Sequence, residues 1–252
     1  MKTTGNTILI TGGGSGIGRG LAEALQANGN RVVIAGRRQA ALEATVAANP
    51  GMEFLTLDIE DPKAIKVFAE KVAAEYPALN VLMNNAGIMR AENVLEGQNM
   101  ADVEAIVTTN LLGPIRLTAA LLPLLRKQAQ STVINVSSGL AFVPLALTPT
   151  YSATKAAIHS YTCSLRYQLK DTTTEVLEII PPYVQTDLMS GAEDPRAMPL
   201  RDFIAETVKI LSEQPTPVEN CVERVHGLRF AEASGHFDSV FKGLNDAMSG
   251  NH

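Results

Sequence analysis

Cysteine is scarce in this 252-residue chain: Cys163 and Cys221 form neither a CxxC pair nor the spacing of a disulfide framework. Histidine is almost as scarce. His159, His226, His236 and His252 show no HxH or HxxxH spacing, so no metal site is expected. Basic residues are the minority, 21 against 26 acidic ones, for a formal net charge of −5. Such a balance gives a nucleic acid no global attraction. Long apolar runs are missing too. The longest, Leu117 to Leu125, is interrupted by Thr118 and Pro123 and falls short of the ~20 residues of a membrane helix. The opening residues, Met1 to Asn6, hold neither an apolar stretch nor a small-residue cleavage site. The expectation is a soluble, cytoplasmic protein with no membrane partner.

What is present reads as an ordinary packed interior, 46% apolar and 19% charged. Short β-branched runs alternate with longer segments of helical period. Strands are expected at Thr7–Thr11, Arg31–Ala35, Glu53–Leu57, Asn80–Met83, Ser131–Val136 and Glu175–Ile180. Helices are expected at Gly16–Asn28, Ala40–Ala48, Pro62–Glu75, Met100–Lys127 and Tyr151–Lys170. Several strands are apolar without polar alternation, as in a parallel sheet covered on both faces. The pattern predicts an α/β class protein: a Rossmann-like, doubly wound parallel sheet flanked by helices, one domain over residues 1–252. Residues 186–217, rich in proline with a short helix near Leu200–Leu211, read as a substrate lid within that domain. Val218–Asp246 reads as helical. Cys163, on the Tyr151 helix, is expected to be buried.

Thr11-Gly12-Gly13-Gly14-Ser15-Gly16-Ile17-Gly18 falls on the first strand-to-helix turn. Glycines there allow a tight turn and close backbone approach, and the helix N-terminus offers free N–H groups and a positive dipole to a pyrophosphate. The spacing is TGxxxGxG, not the general GxGxxG fingerprint. At the end of the second strand stand Gly36, Arg37 and Arg38. No carboxylate guards an adenosine ribose there, and two guanidiniums are available to a 2′-phosphate, which favours NADPH over NADH.

Tyr151-Ser152-Ala153-Thr154-Lys155 puts a phenol and an ammonium four residues apart on one helix face. A cation beside the phenol is expected to lower its pKa toward working pH, as proton exchange with an alcohol or ketone oxygen requires. Ser137 and Ser138 follow the strand ending at Val136, either able to polarise a carbonyl. Pro114 cannot donate to the carbonyl of Asn110, four residues earlier, which frees that carbonyl in mid-helix.

With Asn84-Asn85-Ala86-Gly87 after the fourth strand, these residues make the chain similar to the short-chain dehydrogenases/reductases, over roughly residues 5–187. The resemblance implies roles. Tyr151 is the general acid/base and Ser138, rather than Ser137, orients the substrate oxygen. Lys155 holds the nicotinamide ribose and lowers the tyrosine pKa, and Asn110 binds a water linking the lysine to solvent. The resemblance places Gly12, Ser15, Gly16, Ile17, Gly18, Asp58, Ile59, Asn85, Ala86, Gly87, Pro181, Val184 and Thr186 against the cofactor, with Asp58 on the adenine, Thr186 on the carboxamide and Arg37 selecting NADP(H). Two departures stand out: Pro181-Pro182 replaces the usual Pro-Gly, and the family's C-terminal strand has no counterpart in Val218–His252. A homodimer, or a homotetramer, built on the two long helices is implied.

Residues expected to face substrate are mostly apolar: Leu140, Ala141, Phe142, Leu145, Tyr183, Leu188, Met189 and Met198. They point to a hydrophobic ketone or aldehyde reduced by NADPH, with Arg90 the sole basic residue placed for a carboxylate. The rival functions are an esterase using Ser138 and Tyr151, which has no need of the glycine turn, and a redox-sensing NADP(H)-binding protein, which has no need of the Asn, Ser, Tyr and Lys set. A sugar-nucleotide epimerase needs a larger substrate domain than the chain provides.

Overall fold

The computed structural model describes residues 1–189 and 194–249. Seven strands form one parallel sheet: β1 (Thr7–Thr11), β2 (Arg31–Gly36), β3 (Glu53–Thr56), β4 (Val81–Asn84), β5 (Ser131–Val136), β6 (Thr174–Ile179) and β7 (Glu219–Asn220), in the order 3-2-1-4-5-6-7. The order reverses direction between β1 and β4, and there the carboxyl ends of the strands open a crevice.

Alternate residues of each strand serve opposite faces. Ile8, Ile10, Val32, Ile34, Met83 and Ile134 pack with α1 (Gly16–Ala27), α2 (Gln39–Ala48) and α7 (Leu200–Leu211). Leu9, Val33, Leu82, Val133 and Val176 pack with α3 (Pro62–Glu75), α5 (Gly113–Leu125) and α6 (Pro149–Leu169). Because both faces are covered, the strands carry continuous apolar sequence rather than alternation.

The expected single helix from Met100 to Lys127 is three pieces. α4 (Met100–Val107) ends in a π turn over Thr108–Leu112, and α5 follows. Pro114 supplies no N–H to the Asn110 carbonyl, so the ladder widens where the bond would fall. By length and hydropathy alone the run Met100–Leu125 would suffice to cross a membrane, contrary to the expectation from its interruptions. In the fold it lays Ile106, Leu117, Leu121 and Leu125 against the core.

Two other expectations are corrected. β7 pairs with β6 through Glu178↔Glu219 and Ile179↔Asn220, so the segment after Val218 does contribute a strand. At two residues it is too short to give a periodic signal. The chain then continues through α8 (His226–Arg229) and α9 (Phe237–Ser249). Cys163 is exposed. α6 meets the core through Ile158, Thr162, Leu165 and Leu169, a spacing of three and four that leaves residue 163 on the outer flank. In the stretch 186–217, α7 buries Phe203, Ile204, Thr207 and Leu211 and is packed on α1, where Ile204 fills the space a Cβ on Gly20 would need. Only Thr186–Met189 of that stretch borders the crevice, while residues 190–193 lie outside the described residues.

Candidate active site

A cleft of about 540 Å³ runs along the carboxyl ends of the strands, within the range of small-molecule and cofactor sites. One end is built of backbone. A Cβ on Gly18 would lie 2.4 Å from the Gly12 carbonyl oxygen and from Asn85 Nδ2, and one on Gly13 would strike Ile34 at 2.5 Å. Gly12 and Gly16 hold φ of +70° and +52°, conformations that other residues adopt at a cost. The turn therefore presents a bare backbone at the start of α1, shaped for a pyrophosphate.

Asn85 accounts for part of this geometry. Its Nδ2 donates to the carbonyl of Thr11 at 3.0 Å, while Thr11 Oγ1 accepts from the N–H groups of Asn85 and Ala86, both at 3.1 Å. These bonds lash the ends of β1 and β4 together at the switch point. Gly12, Ser15, Gly16, Ile17, Gly18, Ile59, Asn85, Ala86, Gly87, Pro181, Val184 and Thr186 all line the cleft. The methyl group of Thr186 sits 3.4 Å from the Cβ position of Gly16, so the loop after β6 closes over the glycine turn. Asp58 is not among the lining residues. Its exposed carboxylate instead accepts from the Glu60 N–H at 3.0 Å, holding the turn after β3.

Arg37 and Arg38 both face the outer end of this cleft, with different partners. Arg38 donates to Ser15 Oγ at 2.8 Å, joining a guanidinium to the glycine turn. Arg37 is paired with Glu60 at 2.6 Å, and Glu60 also accepts from Thr109 Oγ1 at 2.8 Å. Gly36 leaves space: a Cβ there would meet only Leu42 at 3.7 Å.

The other end is built of side chains. Ser138, Tyr151 and Lys155 converge on the cleft from the end of β5 and the start of α6. Ser138 and Ser137, equal from the strand end alone, are separated by their partners. Ser137 Oγ turns into the sheet toward the Ile179 carbonyl, whereas Ser138 Oγ accepts from the Leu140 N–H at 3.1 Å and faces the Tyr151 phenol, whose charged form it favours. Asn110 lies behind the cleft wall. Its Oδ1 accepts from the Ile88 N–H and its Nδ2 donates to the Ile88 carbonyl, both at 2.9 Å, pinning the chain just after Gly87.

The electrostatics depart from expectation. Burial pushes the Tyr151 phenol up to about 12, partly opposed by Ser138. Burial pulls Lys155 down to about 8, opposed by Glu178. The Lys155 ammonium lies 5.5 Å from the phenol ring centroid and donates at 2.8 Å to the Val136 carbonyl. Desolvation dominates both groups, moving the phenol up and the ammonium down. The phenol is held as an acid.

Of the residues expected at substrate, Leu140, Leu145, Tyr183, Leu188 and Met189 line the cleft. Phe142 does not. Its ring packs edge-on against His159 at 4.7 Å and beneath the Arg229 guanidinium at 4.4 Å, on the far side of the Gly139–Ala141 turn. Ala141 and Met198 also lie off the cleft, Met198 being buried where it bridges Val184. The sequence reading missed Met89, Leu228, Leu244 and Met248. The last two come from α9, whose Phe237, Val240, Phe241, Leu244 and Met248 follow helical period. That spacing signals an apolar face but not what it covers. α9 is anchored by Asn245, whose side chain accepts from the Ala146 N–H and donates to the Pro144 carbonyl, and by Arg196, which donates to the Ala247 carbonyl. Arg90 borders the cleft and is ion-paired with Asp102.

Where no metal cluster was expected, His159, Glu178 and Glu219 bring ligand-type atoms within 4.8 Å of one another. Glu219 is already held by two bonds from Arg229, at 2.7 and 2.9 Å, and Glu178 by His159 at 2.8 Å. Sequence separations of 19 and 41 residues hid the group.

A glycine-walled nucleotide groove meeting a Ser–Tyr–Lys set at a topological switch point defines a dinucleotide-dependent oxidoreductase. The family model for short chain dehydrogenases matches residues 6–197. The chain is 39% identical over 251 residues to a Bacillus subtilis (strain 168) protein named as an uncharacterized oxidoreductase, DltE, covering 97% of this chain and 98% of the relative. It is 31% identical to an NADP-dependent 3-hydroxy acid dehydrogenase of Schizosaccharomyces pombe, over 74% of each chain. Among solved structures, a Burkholderia cenocepacia J2315 short chain dehydrogenase in complex with NADP is similar, at a TM-score of 0.82 and 25% identity, covering 97% of this chain and 99% of that one. This chain belongs to the short-chain dehydrogenase/reductase family, whose members bind nicotinamide cofactors.

Proposed function

We propose that the protein is an NADPH-dependent carbonyl reductase, equally an alcohol dehydrogenase in reverse, acting on ketones or aldehydes with apolar substituents. The observation that carries this reading is the single cleft joining the glycine turn and Arg37/Arg38 to Ser138, Tyr151 and Lys155. A bound reduced nicotinamide supplies the hydride. Gly12 to Gly18 and Asn85 to Gly87 would hold the dinucleotide, with Lys155 at its ribose and Thr186 at its carboxamide.

The protein's own groups do the rest. Ser138 faces the Tyr151 phenol and would hold the substrate oxygen between them. The phenol, protonated at neutral pH, donates to that oxygen as it gains charge. The resulting phenolate is stabilised by the nearby Lys155 ammonium, an attraction strengthened by exclusion of water. Asn110 keeps the segment after Gly87 in register with the lysine. The apolar wall of Leu140, Leu145, Met189, Leu228, Leu244 and Met248 would seat the substituents and keep water out. Loss of reduced-nicotinamide absorbance with a panel of ketones tests the reading. An esterase would instead hydrolyse acyl esters without cofactor, and a sensor would bind NADPH without turnover.

The working form is proposed to be at least a homodimer through α4–α5 and α6, in keeping with a family that often oligomerises. Leu117, Leu121 and Leu125 point inward, but Met100, Leu112 and Tyr167 remain exposed on these helices. Light scattering at micromolar concentration is expected to give twice 26.9 kDa or more, and the monomer mass would remove the proposal.

A further inference from the structure

Behind Lys155, on the side away from the cleft, the protein buries a carboxylate that the chemistry above leaves unused. Glu178, in β6, is 0% exposed in the layer between the sheet and α6. Its oxygens lie 2.8 and 3.1 Å from Nδ1 of His159, which stands one helical turn beyond Lys155 on α6. The sheet register sets Glu178 opposite Asn135 and Ile179 opposite Val136. Val136 is the residue whose carbonyl receives the Lys155 ammonium. Glu178 and the seat of Lys155 are therefore one step apart on neighbouring strands. Burying a carboxylate costs several kcal/mol, and a glutamine would satisfy a histidine donor at far lower cost. A negative charge at this position needs a reason.

A metal ion does not supply it, because Arg229 engages both oxygens of Glu219 and His159 is committed to Glu178. We propose that Glu178 is a positioning residue for the reaction: its buried carboxylate, held in place by His159, keeps the Lys155 ammonium charged and seated on the Val136 carbonyl. The inference rests on the reading of Lys155 as the catalytic lysine. Glu178 is the carboxylate that acts on Lys155, opposing the effect of its burial. His159 is raised chiefly by its bond to Glu178, with Glu219 adding to the effect and Arg229 from α8 opposing it. Cys221, after β7, is pushed up to about 11 and stays neutral, and Arg166 faces the same cluster from α6.

The test reads the lysine itself. In the full-length protein carrying 13C-labelled lysine, the Lys155 resonance is assigned with Lys155→Arg and titrated. Glu178→Gln, which keeps the shape and removes the charge, is expected to lower the midpoint by about one pH unit, a tenfold change in proton affinity. Glu178→Asp should restore at least half of that shift, and His159→Ala, which leaves the carboxylate unheld, should lower the midpoint by less than Glu178→Gln does. The alkaline limb of kcat should move with the resonance. A folded Glu178→Gln protein with an unchanged Lys155 midpoint overturns the proposal. If that variant does not fold, an unchanged or raised midpoint in His159→Ala overturns it instead. Midpoints that shift as expected while no variant reduces a ketone would break the reductase reading and leave the lysine's dependence on Glu178 intact.

Discussion

The two ends of the cleft are made of different materials. At the cofactor end the shape comes from backbone: missing Cβ atoms at Gly13 and Gly18, positive φ at Gly12 and Gly16, and the Asn85 amide reaching across to β1. At the substrate end it comes from side chains delivered by β5, α6, the loop after β6 and α9. Backbone geometry tolerates few sequences, so the first end is narrow in chemistry and fixed in form. An apolar wall tolerates many, so the second end is where one family can hold many substrates. Tyr151 and Lys155 stand at the junction and test whether the halves act as one site.

The largest effect is expected there. Tyr151→Phe removes the acid and leaves the groove, so ketone reduction should fall by ~10²–10⁴ while NADPH still binds. Stopped-flow reduction and equilibrium cofactor binding measure the two separately. A loss below about tenfold would take the proton away from Tyr151.

Lys155→Met should abolish turnover and yet stabilise the fold. Lys155 is depressed to about 8 by burial, so its charged form disfavours folding. The penalty is fully present below that value and disappears as pH rises past the ordinary lysine range near ~10.4. At pH 7 a gain of about 1–3 kcal/mol in denaturant unfolding is expected, shrinking at higher pH. Equal stability of the two proteins at pH 7 would show that the lysine is solvated in its seat.

At the cofactor end the effects are smaller and selective. Arg37→Ala and Arg38→Ala should each lower kcat/KM for NADPH, a charge-assisted contact being worth ~1.5–3 kcal/mol, and barely touch NADH. The pairing of Arg37 with Glu60 means that Arg37 must share its guanidinium to meet a 2′-phosphate, whereas Arg38 is already aimed at the turn through Ser15. Gly36→Asp has room, since its Cβ would make only an ordinary contact with Leu42, and should reverse the preference. A wild-type preference for NADH would reduce both arginines to surface charges.

The same contrast explains what the sequence made legible. The strands, the glycine turn, the Tyr151/Lys155 pair and the freed carbonyl at Asn110 follow from local rules: period, the steric demands of glycine and proline, and helix spacing, though the sequence reading missed the widening of the helix there. Sequence spacing ranked Ser138 over Ser137 only by resemblance, and the partners of the two hydroxyls give the physical reason. What local rules do not carry is which long-range surface a segment meets. Phe142 has the composition of a pocket residue, yet Arg229 and His159 draw its ring to the other side of its turn. β7 is two residues long and exists only because β6 offers an edge. The His159–Glu178–Glu219 group joins a helix and two strands that no motif links.

The smallest expected effect lies in the apolar wall and is the one that separates its makers. Leu244 and Met248 reach the cleft from α9, whose position is fixed by groups facing elsewhere: Asn245 on the 144–146 loop and Arg196 on the last turn of the helix. Leu244→Ala should therefore leave α9 seated and only widen the wall. Removing three partly buried carbons from a pocket should cost up to about tenfold in kcat/KM for a bulky ketone. The change should appear in KM, with kcat and NADPH affinity near wild type, because the contact is made equally in the ground and transition states. A small ketone that never reaches α9 should not notice the substitution. Asn245→Ala acts differently: it releases the helix, so every apolar substrate should weaken together. If Leu244→Ala instead lowered kcat for small and bulky ketones alike, the side chain would be shaping the Ser138–Tyr151 geometry, and the division between a cofactor end and a substrate end would fail at its outer wall.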